Sequence, residues 1–249
     1  MNQEIDGRSW KPTFGTATIG YALGLVLSLT FLQAAYPIFA LPTDLPPMPF
    51  VPSQEVMQIH QQAHCDFSKK NGSATLAILG AALGVTLSLT SSRSEPRIKA
   101  ILFSGVLAGA GGGLLGFLLG QRNANETNLA VEPSMVTAIL YHSILWGTIS
   151  VLVQFAISLA HRHVDFGKCV LCGLAGGVVA SVVYCAQAQQ FFEFSNMTLI
   201  IPGSNSERLI WGAICSTSVA LSAIIAGAIK QKTHVAIADA TSIDVTKQM

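Results

Sequence analysis

Charge is scarce in this chain. Asp, Glu, Lys and Arg make up only 11% of its 249 residues, against roughly 25% in an average soluble domain. A soluble fold of this size could not cover its surface with so few charges. The net charge of +1 offers no basic field for a nucleic-acid partner. Within the long apolar runs no Asp, Glu, Lys or Arg falls near the middle, where proton-coupled transporters and pumps carry a relay. The chain also lacks a phosphate-binding G-x-x-x-x-G-K-S/T, an H-E-x-x-H and a nucleophile elbow. These gaps lead us to expect a protein that is not an enzyme and has no cofactor. The five cysteines, Cys65, Cys169, Cys172, Cys185 and Cys215, follow no disulfide-framework spacing. Four lie in apolar runs, where buried thiols act as small hydrophobes.

What the chain does have is apolar sequence, 51% of its residues, gathered into runs long enough to cross a bilayer. The most informative run is 101–120, ILFSGVLAGAGGGLLGFLLG. Gly105, Gly109 and Gly113 fall on one helical stripe, and Gly112, Gly116 and Gly120 on the stripe beside it. In water each glycine would cost a helix about 1 kcal/mol relative to alanine. In lipid the backbone has no water to turn to, and small residues let helices touch. The run therefore reads as a membrane helix gripped on two sides by other helices. The same spacing recurs at Gly20, Gly24 and Ser28, at Gly80, Gly84 and Ser88, at Gly173, Gly177 and Ser181, and at Gly212, Ser216 and Ala220.

The expected fold is all-α: a polytopic bundle of six transmembrane helices packed through small-residue (Gly/Ala/Ser) stripes. The expected spans are 14–40, 74–90, 98–120, 134–160, 169–188 and 209–229, forming one domain over 14–229. A polar N-terminus, 1–13, precedes it, and a loose polar tail, 230–249, follows. The first run is too long for a signal peptide's apolar core and lacks a clean cleavage site. The longest loop, 41–73, opens with Pro42, Pro46, Pro47, Pro49 and Pro52, which keep its start out of helix. After Ser53, a good N-cap, the loop turns into a short amphipathic helix of its own.

Six spans put both ends on one side. Ten of the 14 Lys and Arg residues lie in the N-terminus, the second and fourth connections and the tail: Arg8, Lys11, Arg93, Arg97, Lys99, Arg162, Lys168, Lys230, Lys232 and Lys247. By the positive-inside rule both termini are cytoplasmic and the proline-rich loop faces out. N-x-S/T triplets at Asn71, Asn125 and Asn196 all fall on the expected outer connections. Residues 17–30 match 77–90 at nine of fourteen positions, an echo that a small apolar alphabet easily produces.

Three places could carry chemistry. His60 and His64, at i and i+4 with Cys65 beside them, have a spacing that can present two imidazoles to one metal. Cys65 could instead bridge to Cys185 at the outer side. Cys169 and Cys172 form a C-x-x-C at a helix start, which reads as packing. His142 lies inside the fourth span, an ionisable group within the membrane and hence a candidate site. Ser150 and Gln154 on the same span complete a candidate intramembrane polar site.

The expected partners are the lipid bilayer and other membrane subunits or a second copy, in the plasma (inner) membrane. The preferred role is a non-enzymatic scaffold or accessory subunit. The alternatives are a transporter or channel for a small neutral solute, and an outward-facing metal or redox site at His60, His64 and Cys65. A dry, singly bonded His142 would favour the scaffold, and a hydrated polar cavity around it would favour transport.

Overall fold

The structure, a computed structural model, describes residues 14–91, 98–126, 134–160, 166–192, 197 and 199–246. It is all-helical, with six helices in chain order: α1 (Phe14–Ala35), α2 (Gln54–Ser91), α3 (Ile98–Glu126), α4 (Met135–Ala160), α5 (Phe166–Phe191) and α6 (Asn205–Thr246). Five of them are long and apolar enough to cross a membrane. α1 adds a shorter apolar stretch, Tyr21–Ala35.

Serine hydroxyls open three of the helices. Ser53 Oγ accepts the Val56 amide at 3.3 Å, Ser134 Oγ the Thr137 amide at 3.2 Å, and Ser204 Oγ the Glu207 amide at 3.2 Å. Each thus satisfies one of the amides that a helix start leaves without a partner.

Several boundaries differ from expectation, each for a local reason. α1 ends at Ala35 and not near 40, because Pro37 disfavours helical geometry in the residue before it. The amphipathic helix and the second span, expected as two elements, form the single helix α2 of 38 residues. No proline interrupts 54–91, and Asn71, a natural helix breaker, is satisfied in place. Its Nδ2 donates to Phe39 O at 2.9 Å and Phe67 O at 3.1 Å, while its Oδ1 accepts the Phe39 amide at 3.0 Å. Asn71 is therefore buried within a helix and not displayed on a loop. Asn125 falls in the last turn of α3, and Asn196 lies outside the described residues. α3 and α6 run past 120 and 229 to Glu126 and Thr246, since neither extension beyond those points contains a proline or glycine.

Each helix packs against its neighbours in sequence, and α1 also packs against α6, so the six close into a ring. α4 touches α2, α3, α5 and α6 and is the hub. The α2/α3 pair is the most extensive, and its backbones nearly meet. A methyl added at Gly84 would lie 2.5 Å from Ser104 O, one at Gly72 2.8 Å from Gly116 O, and one at Gly120 2.9 Å from Ser68 O. Added methyls at Gly80, Gly112 and Gly116 would strike the carbonyls of Ala108, Leu76 and Gly72. Gly105, Gly109 and Gly113 also face α2, at Val85, Ala81 and Ala77 respectively. Both glycine stripes of α3 thus serve one neighbour, and α4 reaches α3 instead at Gly111, against Leu152. On the other side of the bundle, Gly173 and Gly177 of α5 meet the α4 backbone at Val151 and Gly147.

Candidate functional site

The hub helix carries the residues that matter most. α4 places His142 and Trp146 one turn apart, facing α6, where Glu207, Trp211 and Cys215 repeat at four-residue spacing. α5 contributes Tyr184 and Cys185 to the same core. His142 is 1% exposed. Trp211 Nε1 lies 3.3 Å from its Nδ1, and Met197 O lies 3.0 Å from its Nε2. An indole N–H can only donate and a carbonyl can only accept. The imidazole therefore accepts at Nδ1, donates from Nε2 and is neutral. Neither ring nitrogen is left for a metal or a proton relay. Tyr184 stands edge-on to the imidazole at 4.9 Å, and the Trp146 and Trp211 rings pack edge-to-face at 5.0 Å. Tyr184 Oη donates to Glu207 Oε1 at 2.9 Å.

Ser150 and Gln154 form a second, separate cluster with Ser222 of α6. The two serine hydroxyls are 2.8 Å apart, and Gln154 Nε2 donates to Ser150 Oγ at 3.1 Å and Ser222 Oγ at 2.9 Å. Gln154 is twelve residues beyond His142, roughly 18 Å along the helix axis, so the three expected site residues do not converge. Ser222, Trp211, Tyr184 and Glu207 were not singled out from sequence. Their contacts to α4 and within the core span 23 to 72 positions, which no local spacing encodes.

The expected metal trio is not assembled. His60 donates from Nε2 to Pro46 O at 2.8 Å, tying α2 to the proline-rich segment. Cys65 is buried while His64 is exposed, as adjacent residues about 100° apart around a helix must point differently. Among the described residues no group of three or more His, Cys, Asp or Glu could hold a metal ion. All five cysteines are free, so the Cys65–Cys185 bridge is not formed. Of the C-x-x-C pair, Cys169 has its thiol 3.2 Å from Ser158 Oγ.

A cavity of about 420 Å³ opens at the end of the bundle where α1 finishes and α6 begins. Tyr36 and Pro37, His64 and Phe67 of α2, Leu199, Ile200, Ile201 and Gly203, and Arg208 wall it. Arg208 is 5% exposed. Its Nη1 donates to Pro202 O at 3.0 Å and Gly203 O at 2.7 Å, and its Nη2 to Asn205 Oδ1. Its guanidinium carbon sits 4.5 Å from the centre of the Tyr36 ring. Burial pushes the Tyr36 phenol above its ordinary range, against the opposing pull of Arg208, so the ring meets the guanidinium uncharged, as a cation–π partner. Arg208 is one of the four Lys and Arg residues outside the ten that set the expected topology. In comparisons with known proteins the chain matches no family model, no curated protein and no solved structure.

Proposed function

We propose that this chain is a non-catalytic integral membrane protein, a scaffold or accessory subunit. In this reading all six helices cross the bilayer, both termini are cytoplasmic, and small-residue stripes hold the bundle together in the plasma membrane. The observation that carries it is the state of His142. Both of its ring nitrogens are spent on Trp211 and Met197, and the residue does not line the cavity. An intramembrane ionisable group with a transport task needs water or a partner to exchange with. A helix-to-helix tie needs only bonded neighbours, which is the arrangement found. The test has two parts. Native membranes, solubilised mildly and resolved by size, are expected to show the chain in an assembly larger than its 26.3 kDa monomer. Liposomes holding the purified protein are expected to leak urea and glycerol no faster than empty ones. A lone monomer that carries either solute would overturn the proposal.

One observation favours transport as the second reading. Gln154 Oε1 is buried without a partner, an acceptor that a small neutral solute passing Ser150 and Ser222 could use. Flux that is present in the wild type and lost in Gln154→Leu would establish that reading.

A further inference from the structure

We propose that the cavity beside Arg208 binds an anionic amphiphile, its carboxylate or phosphate head on the guanidinium and its apolar body against Pro37, Phe67 and Ile200. This goes beyond the scaffold reading and does not depend on it.

A guanidinium has five N–H donors. Three are used, two on Nη1 and one on Nη2, which leaves Nε–H and one Nη2–H. Nε is buried with no acceptor. All three acceptors in use are uncharged: two backbone carbonyls and an amide oxygen. The adjacent carboxylate, Glu207, accepts from Tyr184 Oη and also attracts the guanidinium through its charge. A cation at 5% exposure with donors to spare is an expensive arrangement; Nε itself is enclosed, but an oxyanion in the cavity that Arg208 lines would take the spare Nη2–H in the strong charge-assisted bond that arginine makes. The guanidinium is also held still by its three bonds and by Tyr36, so little ordering is needed on binding.

The rest of the wall selects the body of the ligand. Pro37, Phe67, Leu199, Ile200 and Ile201 are apolar, and the space, about 420 Å³, falls at the low end of the roughly 300–1,000 Å³ typical of small-molecule sites. A head group and a short length of hydrocarbon fit, whereas a whole diacyl lipid would have to leave its tails outside. The head can come from two sources, a free fatty acid or the phosphate of a bilayer lipid.

The full-length protein in a neutral maltoside detergent would be titrated with decanoate, decanol and inorganic phosphate while its thermal unfolding midpoint is followed. Decanoate is expected to raise the midpoint saturably, with decanol and phosphate alone at least tenfold weaker. Arg208→Gln should weaken decanoate at least tenfold. So should Leu199→Trp, which narrows the cavity and leaves the guanidinium untouched. Equal effects of decanoate and decanol would overturn the proposal, as would a folded Arg208→Gln variant that binds decanoate within threefold of wild type. If Arg208→Gln does not fold, Leu199→Trp decides, and unchanged decanoate affinity there overturns the assignment. Mass spectrometry of molecules extracted from the freshly purified protein separates the sources. Either phospholipid or fatty acid, retained by wild type and lost from Leu199→Trp, supports the site and names its occupant.

Discussion

Replacing Gly84 by alanine should destabilise the bundle, although alanine is the better helix former. The added methyl would lie 2.5 Å from Ser104 O and 2.9 Å from its carbonyl carbon. Both contacts are to backbone, so no side chain can swing aside. Ordinary contact begins at 3.4 Å, so α2 and α3 must part locally by the difference, 0.9 Å. An opening of that size forfeits roughly a quarter to a half of the dispersion energy of the atoms facing each other. It also stretches the bond from Ser104 Oγ to Gly84 O, now 2.8 Å, a bond whose loss within a membrane removes about 0.6 kcal/mol. Overpacking contributes a further ~1–3 kcal/mol, against which the helix preference of alanine returns about 1 kcal/mol. The net expectation is a loss of about 1–3 kcal/mol, read from reversible unfolding in mixed micelles of increasing denaturing-detergent fraction. Gly203→Ala is the control, since nothing lies within 4 Å of the position its methyl would take. Equal stability of Gly84→Ala and wild type would refute the claim that the two backbones meet at this point.

His142→Phe keeps the ring but strands the Trp211 N–H and Met197 O, and an unsatisfied buried group costs about 1–3 kcal/mol. The same unfolding assay should show a loss in that range with no change in solute flux, and a stable variant with altered flux would reverse the scaffold reading. Gln154→Leu should change stability by less than about 1 kcal/mol, because Ser150 and Ser222 stay bonded to each other and an unpaired oxygen is removed; a larger loss would mean that the glutamine holds the α4/α6 seam. In a background without native thiols, Lys69→Cys should react with an impermeant maleimide from outside the cell only, and Arg162→Cys from inside only. The opposite pattern would invert the proposed topology.

The apolar runs located the helices because length and hydropathy are local properties, and Ser53 marked a start because a cap acts within one turn. Asn71 misled because its helix-compatible state depends on the Phe39 backbone, 32 positions away. The stripes of α3 were visible as spacing, but which neighbour each would meet depends on how two helices cross, and both turned toward α2. His142 stood out as an ionisable residue in an apolar run. Its partners did not, because tryptophan at 211 reads equally well as an interfacial anchor or as core. Arg208 looked like one charge among fourteen, since burial and an empty Nε cannot be seen without the third dimension.

The seams of the ring share a chemistry that bears on what is left for function. Ser88 Oγ meets Ser104 Oγ at 2.6 Å between α2 and α3, Tyr21 Oη meets Thr217 Oγ1 at 2.7 Å between α1 and α6, and Ser150 meets Ser222 between α4 and α6. With the His142–Trp211 bond, these ties join helices without placing a net charge in lipid, where an ion would be far more costly than a hydroxyl. Each is modest, about 0.6 kcal/mol on average for such bonds, so their value is in fixing register and not in driving association. Polar atoms spent in this way are unavailable to a solute. Arg208 Nε, like Gln154 Oε1, has no partner, and it differs in belonging to a cation. The two readings that leave room for a ligand therefore rest on different atoms, Gln154 Oε1 between α4 and α6 and the Arg208 guanidinium at the cavity wall, and the Gln154→Leu and Arg208→Gln variants test them separately.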